Sequence, residues 1–426
     1  MSGAPARLAA AQLLMSVLEE GRTLDDAMAN TERFEALKGP DRGFARAMAS
    51  AALRQLGRID LGLAPFLERP LETATPPARA LLRIGAAQAW VLETPDHAVV
   101  GETVSAAKLW HRTQRATGFL NAVLRKVVAN RDAYDAAPYD ALWPDWLRTM
   151  AMQGLGAKAA AALAEAQTLT PETYLTPKDG MADTLATQVD GTVVANYSVK
   201  VETAAVESLA GFEDGTWWVQ DIAATLPARL LSPQADETIL DICAAPGGKT
   251  LQLAASGAKV TAIDRSKPRL KRLKQNLWRT EFKGKVDVVC ADATEWRPEA
   301  PVDKILLDAP CSALGTLRRH PEGAWIKSPD DVARFPNIQE RLLRASIDML
   351  KPGGQLIYCV CSPLPHEGVE VVDRVLKDAP VSRKVIDPNE IAGFNDSVTP
   401  LGDLLTLPNG RFGHDAFYIS RLIRDS

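Results

Sequence analysis

Two cysteines stand where strand candidates give way to loops: Cys311 in "ILLDAPCSALGTLRRHPE" and Cys361 in "LIYCVCSPLPHEGVEVV". Asp308 lies three residues before the first, and Lys249 closes a glycine turn upstream, in "TILDICAAPGGKT". A thiol at the loop edge of a sheet can act as a nucleophile or bind a metal. The other cysteines, Cys243, Cys290 and Cys359, are assigned to apolar packing, the usual fate of a buried thiol. Cys311, Cys359 and Cys361 could supply three zinc ligands, but C-x-C replaces C-x-x-C and no clear fourth ligand follows, so no metal is expected. All 5 cysteines fall in the second half of the chain, which argues against a disulfide framework and for a reducing compartment.

The glycine turn invites a test for triphosphate binding. A phosphate loop needs G-x-x-x-x-G-K-[ST], because its backbone amides wrap phosphate oxygens. Counting back from Gly248-Lys249-Thr250, the first glycine is replaced by Cys243, and Pro246 has no amide hydrogen to offer. "KILLDAP" could pass for the metal-holding aspartate of such an ATPase, but the missing glycine counts against it. A nucleoside cofactor fits better. The turn lets backbone approach a ligand, Asp264 in "KVTAIDRSK" ends the next strand where a carboxylate can accept ribose hydroxyls, and Asp292 in "VVCADATEW" ends the one after, bordering the base. S-adenosylmethionine carries a sulfonium and no phosphate, so the lost phosphate donors are not missed.

A thiol beside a methyl donor suggests one reaction. Carbon 5 of a pyrimidine is a poor nucleophile, but a thiolate added to carbon 6 turns the ring into an enamine whose carbon 5 can attack the methyl group. The scheme needs thiolate character, favoured by nearby positive charge, and a hydrogen-bonding group at the ring edge. Asp308, near Cys311, and Lys249 are candidates for ring-edge contacts. Residue chemistry leaves open which of Cys311 and Cys361 attacks.

These residues need a sheet to carry them. From residue 206 onward the strand candidates "WWVQD", "TILDI", "KVTAID", "VDVVCAD", "DKILLDA" and "QLIYCV" alternate with helical stretches. That alternation predicts a doubly wound, Rossmann-like α/β domain with a parallel sheet. The closing "DLLTLPNGRFGHDAFYISRLIR" reads as two strands joined by a loop, an antiparallel addition at the sheet edge. Residues 1–132 read as helix after helix, and 133–205 as a mixed linker with an Ala-rich helix, "GLGAKAAAALAEAQ", and short strand candidates in "TVVANYSV". After Arg7, "LAAAQLLMSVL" has the composition of a signal peptide. Gln12 and Ser16 interrupt it, however, and Leu8, Ala11, Met15 and Leu18 recur at helical spacing, so an amphipathic surface helix is expected. No run spans a bilayer, and a cytoplasmic protein is expected.

Together, "DICAAPGGKT", "DAPCSALGTLRRHPE", "LKPGGQLIYCVCSPLPHEGVEVV" and "FYISRLI" closely resemble the RNA (cytosine-5) methyltransferases of the Sun/nucleolar-protein group. The helical N-terminal region resembles the NusB-type RNA-binding domain carried by bacterial ribosomal members of that group. The resemblance implies S-adenosylmethionine as cofactor and a cytosine of small-subunit (16S) ribosomal RNA as target, with tRNA or another RNA as the alternative. It implies Cys361 as nucleophile and Cys311 as the group that assists release of the methylated base. The cofactor site it implies is Cys243, Ala244, Ala245, Pro246, Gly247, Gly248 and Lys249, with Asp264, Asp292 and Asp308. The chain departs from the group's pattern at Val360, where threonine usually stands. It departs again at Pro365-His366-Glu367-Gly368, where the pattern is Pro-Glu-Glu-Asn, and at "YLTPK", which replaces Leu-Arg-x-Asn.

Net charge is −4, so affinity for RNA must come from local patches. One runs through Lys108, Arg112, Arg115, Arg125, Lys126 and Arg131, with no acid after Glu102. Another is "DRSKPRLKRLKQNLWRTEFKGKV", in which Arg269 and Lys271 are expected to touch RNA. Arg318, Arg319 and His320 adjoin the Cys311 motif and carry the same expectation. The target base must leave its stack to meet a thiol, and the protein is expected to act as a monomer. A noncatalytic RNA-binding module would have no use for paired strand-end cysteines.

Overall fold

A computed structural model describes residues 3–203, 205–408 and 413–426. The chain divides into two compact units, Met1–Thr170 with Leu317–Pro329, and Pro171–Thr316 with Asp330–Ser426. Of residues 133–205, those through Thr170 group with the first unit and those from Pro171 with the second.

The first unit is helical. Helix Ala4–Glu20 packs against helices Gly39–Arg54, Pro76–Trp90 and Asp96–Leu109. Ala6, Leu8, Ala9, Ala10, Leu13, Leu14 and Val17 are all buried, which corrects the expectation of a surface helix: this is the core helix. Its alanines let several neighbours approach at once, so burial extends around the helix instead of following one stripe. Gly21, in the left-handed region at φ 69°, ends it with its N–H on the Val17 carbonyl. Within the same unit, Ile326 packs on the helical core, the Glu322 carboxylate accepts the Leu24 N–H at 3.3 Å, and Arg54 donates to the Arg318 carbonyl at 3.2 Å.

The second unit holds two sheets. Strands β1 (Thr173–Pro177), β2 (Thr192–Val194), β3 (Ser198–Val201) and β4 (Trp217–Val219) form an antiparallel sheet in the order β2-β3-β1-β4. "TVVANYSV" therefore does form short strands. "WWVQD" does not open the parallel sheet: β4 pairs with β1, Leu175 opposite Val219. Trp217 packs with Leu175, Val199 and helix Ala182–Val189, an attraction that an alternating strand–helix pattern cannot reveal.

The large sheet contains β5 (Thr238–Ile242), β6 (Lys259–Asp264), β7 (Val286–Cys290), β8 (Val302–Asp308), β9 (Leu350–Val360), β10 (Val381–Arg383), β11 (Leu404–Thr406) and β12 (Phe417–Arg424). Its order is β10-β12-β9-β8-β5-β6-β7, with β11 also on β12. Strands β5 to β9 are parallel, and β12 runs antiparallel beside β9 as the sequence implies, but β12 is not the sheet edge, because β10 and β11 pair with it on the side away from β9. Part of the loop between β11 and β12, residues 409–412, lies outside the described residues. Alternate side chains bury on opposite faces, Ile239 and Leu306 on one, Leu240 and Leu307 on the other, as a sheet covered on both sides requires. The chain winds from β5 through β6 to β7, then returns to β8 on the other side of β5. That reversal opens a crevice at the carboxyl ends of β5 and β8, where doubly wound sheets bind ligands. Among the described residues no helix is long and apolar enough to cross a membrane.

Candidate active site

The glycine turn leaves β5 at that crevice. Cys243 (φ 63°) and Gly247 (φ 110°) both sit in the left-handed region, and a Cβ on Gly247 would lie 3.2 Å from Leu273. The turn is held from two sides. Ala244 donates its N–H to the Ile263 carbonyl at 3.1 Å, and Ala245 donates to Asp264 Oδ2 at 3.3 Å. From helix Lys267–Arg279, Asn276 donates to the Pro246 carbonyl at 2.9 Å, and Arg269 bonds the Ala245 carbonyl and pairs with Asp264 at 3.2 Å. Two turn amides are thus committed and Pro246 has none, so the cradle a triphosphate needs is not available.

The turn divides two cavities. One, of about 100 Å³, is lined by Cys243, Asp264, Arg269, Asp292 and Pro310. Two of the strand-end acids therefore share one small site. Asp264 is buried, while Asp292 is exposed and accepts the N–H and hydroxyl of Thr294, which hold its carboxyl below the usual range. The other cavity, about 430 Å³, is lined by Pro246, Gly247, Gly248, Lys249, Asp308 and Trp218 among others. There Lys249 Nζ lies 2.8 Å from Asp308 Oδ2 and 5.2 Å from the centre of the Phe417 ring. Burial pulls the Lys249 ammonium down, but Asp308 and the cysteines beyond it outweigh burial and keep it well above its ordinary value.

Beside this pair, Cys311 Sγ and Cys361 Sγ lie 3.4 Å apart. The sulfurs meet because β8 and β9 are neighbours and because Gly315 donates its N–H to the Cys361 carbonyl at 2.9 Å. The hydrogen bond with Cys361, burial, and the negative charge of Glu367 push the Cys311 thiol up. Cys359 is buried and turns its thiol to Asp308 Oδ1 at 3.5 Å. Cys290 corrects the packing assignment, for it is exposed at the end of β7. Among the described residues no group of three or more His, Cys, Asp or Glu side chains is arranged to hold a metal.

The expected RNA contacts divide. Lys271 and His320 are exposed and Arg319 is half-buried. Arg318 is 5% exposed, which corrects its assignment as a surface phosphate contact. Arg269 is half-exposed, but its guanidinium is engaged by the glycine turn and Asp264.

Residues 228–423 match the 16S rRNA methyltransferase RsmB/F family, and residues 4–129 match the NusB family. The chain is 34% identical over 442 aligned positions to ribosomal RNA small subunit methyltransferase B of Pseudomonas putida, covering 98% of each chain. It is 35% identical over 391 positions to the protein of that name from Xanthomonas campestris pv. campestris, covering 88% of each. The chain belongs to the RsmB/F methyltransferase family. Its fold is that of the crystal structure of PH0851 (TM-score 0.77, 21% identity, 98% of each chain). It is also similar to NSun6 from Pyrococcus horikoshii with SFG (TM-score 0.56, 18% identity), over 66% of this chain and 98% of that one.

As an RsmB/F member the protein is an S-adenosylmethionine-dependent methyltransferase, and its residues suit that cofactor. Carboxylates from two successive strand ends line one cavity with the turn, and a ligand without phosphates needs none of the absent donors. Several residues of the site were given no role by sequence reasoning: Phe417 under Lys249, Asp241 beneath the turn, and Ser312, Ser362 and Glu367 around the cysteines. One signal was present, the Cys-Ser pair repeated at 311–312 and 361–362.

Proposed function

We propose that the protein methylates carbon 5 of a cytosine in 16S ribosomal RNA through a transient bond between Cys361 and carbon 6. The observation that carries this reading is the pair of thiols 3.4 Å apart at neighbouring strand ends, beside the Lys249–Asp308 ion pair. When bound, S-adenosylmethionine supplies an electrophilic methyl group. Cys361 as thiolate adds to carbon 6, which makes carbon 5 nucleophilic. Lys249, held as an ammonium, and Asp308 take the ring-edge contacts. After transfer a base takes the carbon 5 proton, the freed electron pair restores the 5,6 double bond, and the carbon–sulfur bond breaks to return Cys361 as thiolate. Cys311, whose sulfur lies beside that of Cys361, is assigned to that release.

The names of the curated relatives support ribosomal RNA as substrate, and the reading takes the cytoplasm as the site of action. On the RNA side the reading uses the exposed cations Lys108, Arg112, Arg115, Arg125 and Lys126 of the helical unit, together with Lys271 and Lys274 of helix Lys267–Arg279. Trp278, 69% exposed on that acid-free helix, adds a ring on which an unpaired base can stack. The test is methyl transfer to 16S RNA with bisulfite mapping of the product. Cys361→Ala should abolish transfer, and Cys311→Ala should accumulate a protein–RNA adduct. Normal turnover by Cys361→Ala would overturn the assignment.

A further inference from the structure

We propose that Glu367 is a positioning residue that holds the two cysteine loops in register, a claim that rests on the reading that both thiols serve one base. Its side chain is completely buried. Each cysteine is followed by a serine, and both serine hydroxyls, Ser312 Oγ and Ser362 Oγ, donate to the same oxygen, Glu367 Oε2, at 2.5 Å each. The other oxygen, Oε1, accepts the Ser312 N–H at 2.7 Å and Gln339 Nε2 at 3.3 Å. Gln339 in turn reaches the Pro310 carbonyl, just before Cys311, at 3.0 Å. One carboxylate thus gathers the residue after each cysteine and a brace on the loop before one of them.

A buried carboxylate is tolerated only when its lone pairs are met, and here four donors meet them. With Oε2 receiving two hydroxyls and Oε1 an N–H and an amide, an amide side chain at 367 would lose one acceptor oxygen and with it two of the four contacts. The glutamate is itself fixed. Tyr358 donates its hydroxyl to the Glu367 carbonyl at 2.5 Å, and the Glu367 N–H bonds the Leu364 carbonyl at 3.1 Å. Gly368 lets the following helix begin close to Tyr418, whose ring would lie 2.7 Å from a Cβ there, which accounts for glycine at this position. The Gly315–Cys361 backbone bond is a second clasp between the same loops. No covalent link joins the sulfurs, so the two clasps set their separation while leaving both as thiols. A drift of about 1 Å in such a pair can cost about 100-fold in rate.

The test compares full-length wild type with Glu367→Gln, using a readout that does not depend on catalysis. Phenylarsine oxide condenses with two adjacent thiols, forming two arsenic–sulfur bonds and releasing one water, and Cys311→Ser controls for capture by other cysteines. Glu367→Gln is expected to capture the arsenical at least tenfold more weakly. Its single-turnover methylation should fall about 100-fold, with S-adenosylmethionine affinity unchanged. Glu367→Asp, which keeps the charge but not the reach, should also lose both. Should Glu367→Gln fail to fold, the double variant Ser312→Ala/Ser362→Ala removes the same two hydroxyl bonds and is expected to show the same losses. Capture and methylation within twofold of wild type in these variants would overturn the proposal. A wild type that captures the arsenical yet leaves every cytosine unmethylated would instead sink the functional reading, and the comparison of arsenical capture would still decide the clamp.

Discussion

Lys249 keeps its charge in surroundings that would neutralise an isolated ammonium, because Asp308 faces it at 2.8 Å. Lys249→Met should therefore do two things. Methylation should drop by at least 100-fold if the ammonium contacts the ring. Asp308, whose side chain is 30% exposed, would lose its cation, costing about 1–3 kcal/mol, visible as a lower melting temperature. Asp241, beneath the turn, is a different case. Thr250 donates to its Oδ2 at 2.5 Å, but its buried Oδ1 has no hydrogen-bond partner among the described residues. Burial, with the nearby charges of Asp308 and Asp264, raises its pKa from 3.8 to about 7. A raised carboxyl binds its proton more tightly folded than unfolded, so between pH 3.8 and about 7 the folded state holds the extra proton. Its contribution to stability should fall as pH rises through that window. Asp241→Asn should flatten this slope in melting temperature against pH; an unchanged slope would show that Asp241 is not its source. Cys311, Cys361 and Lys249 are recognisable as candidates from residue type and position. Asp241 and Glu367 are not, since nothing local in a sequence marks an acid as buried.

Helix Lys267–Arg279 shows how one element serves two tasks. Leu270, Leu273 and Leu277 are buried, Asn276 and Arg269 hold the glycine turn, and Lys267, Lys271, Lys274 and Trp278 are exposed. The apolar stripe and the basic faces are readable from spacing, but the turn's dependence on Asn276 is a contact across 30 residues. Leu273→Ala should cost about 2–4 kcal/mol through the cavity it leaves. It should also weaken S-adenosylmethionine binding, measured by calorimetry, because Gly247 rests on that leucine. Gly315 carries a similar load in the Cys311 loop. A Cβ there would fall 2.0 Å from the Ala416 carbonyl oxygen and 2.9 Å from that of Cys361. Gly315→Ala is expected to fold with the loop displaced and to lose at least tenfold in methylation rate while still binding cofactor.

For the molecule as a whole, the Pseudomonas putida relative aligns with 98% of the chain, across both the NusB-matching and the RsmB/F-matching residues. The net charge of −4 means that binding a polyanion depends on where the cations are placed. Reversing Arg112, Arg115, Arg125 and Lys126 to glutamate should lower affinity for 16S RNA at least tenfold and flatten its dependence on salt. S-adenosylmethionine binding should not change, since none of these residues lines the turn's cavities. Retained RNA affinity would remove the helical unit from the binding surface.

The sequence by itself determined the α/β winding, the glycine turn, the strand-end acids and the two cysteines. Each depends on residue type and short-range spacing, which a linear chain displays directly. It also carried the family resemblance that the comparisons bear out. Tertiary structure decided the rest. It drew the first helix into the core, moved "WWVQD" into a separate antiparallel sheet, buried Arg318 and exposed Cys290. It also gathered Ser312, Ser362 and Gln339 on one buried glutamate. Those outcomes turn on which distant surfaces exclude water together, and that is a property of packing that no local stretch of residues contains.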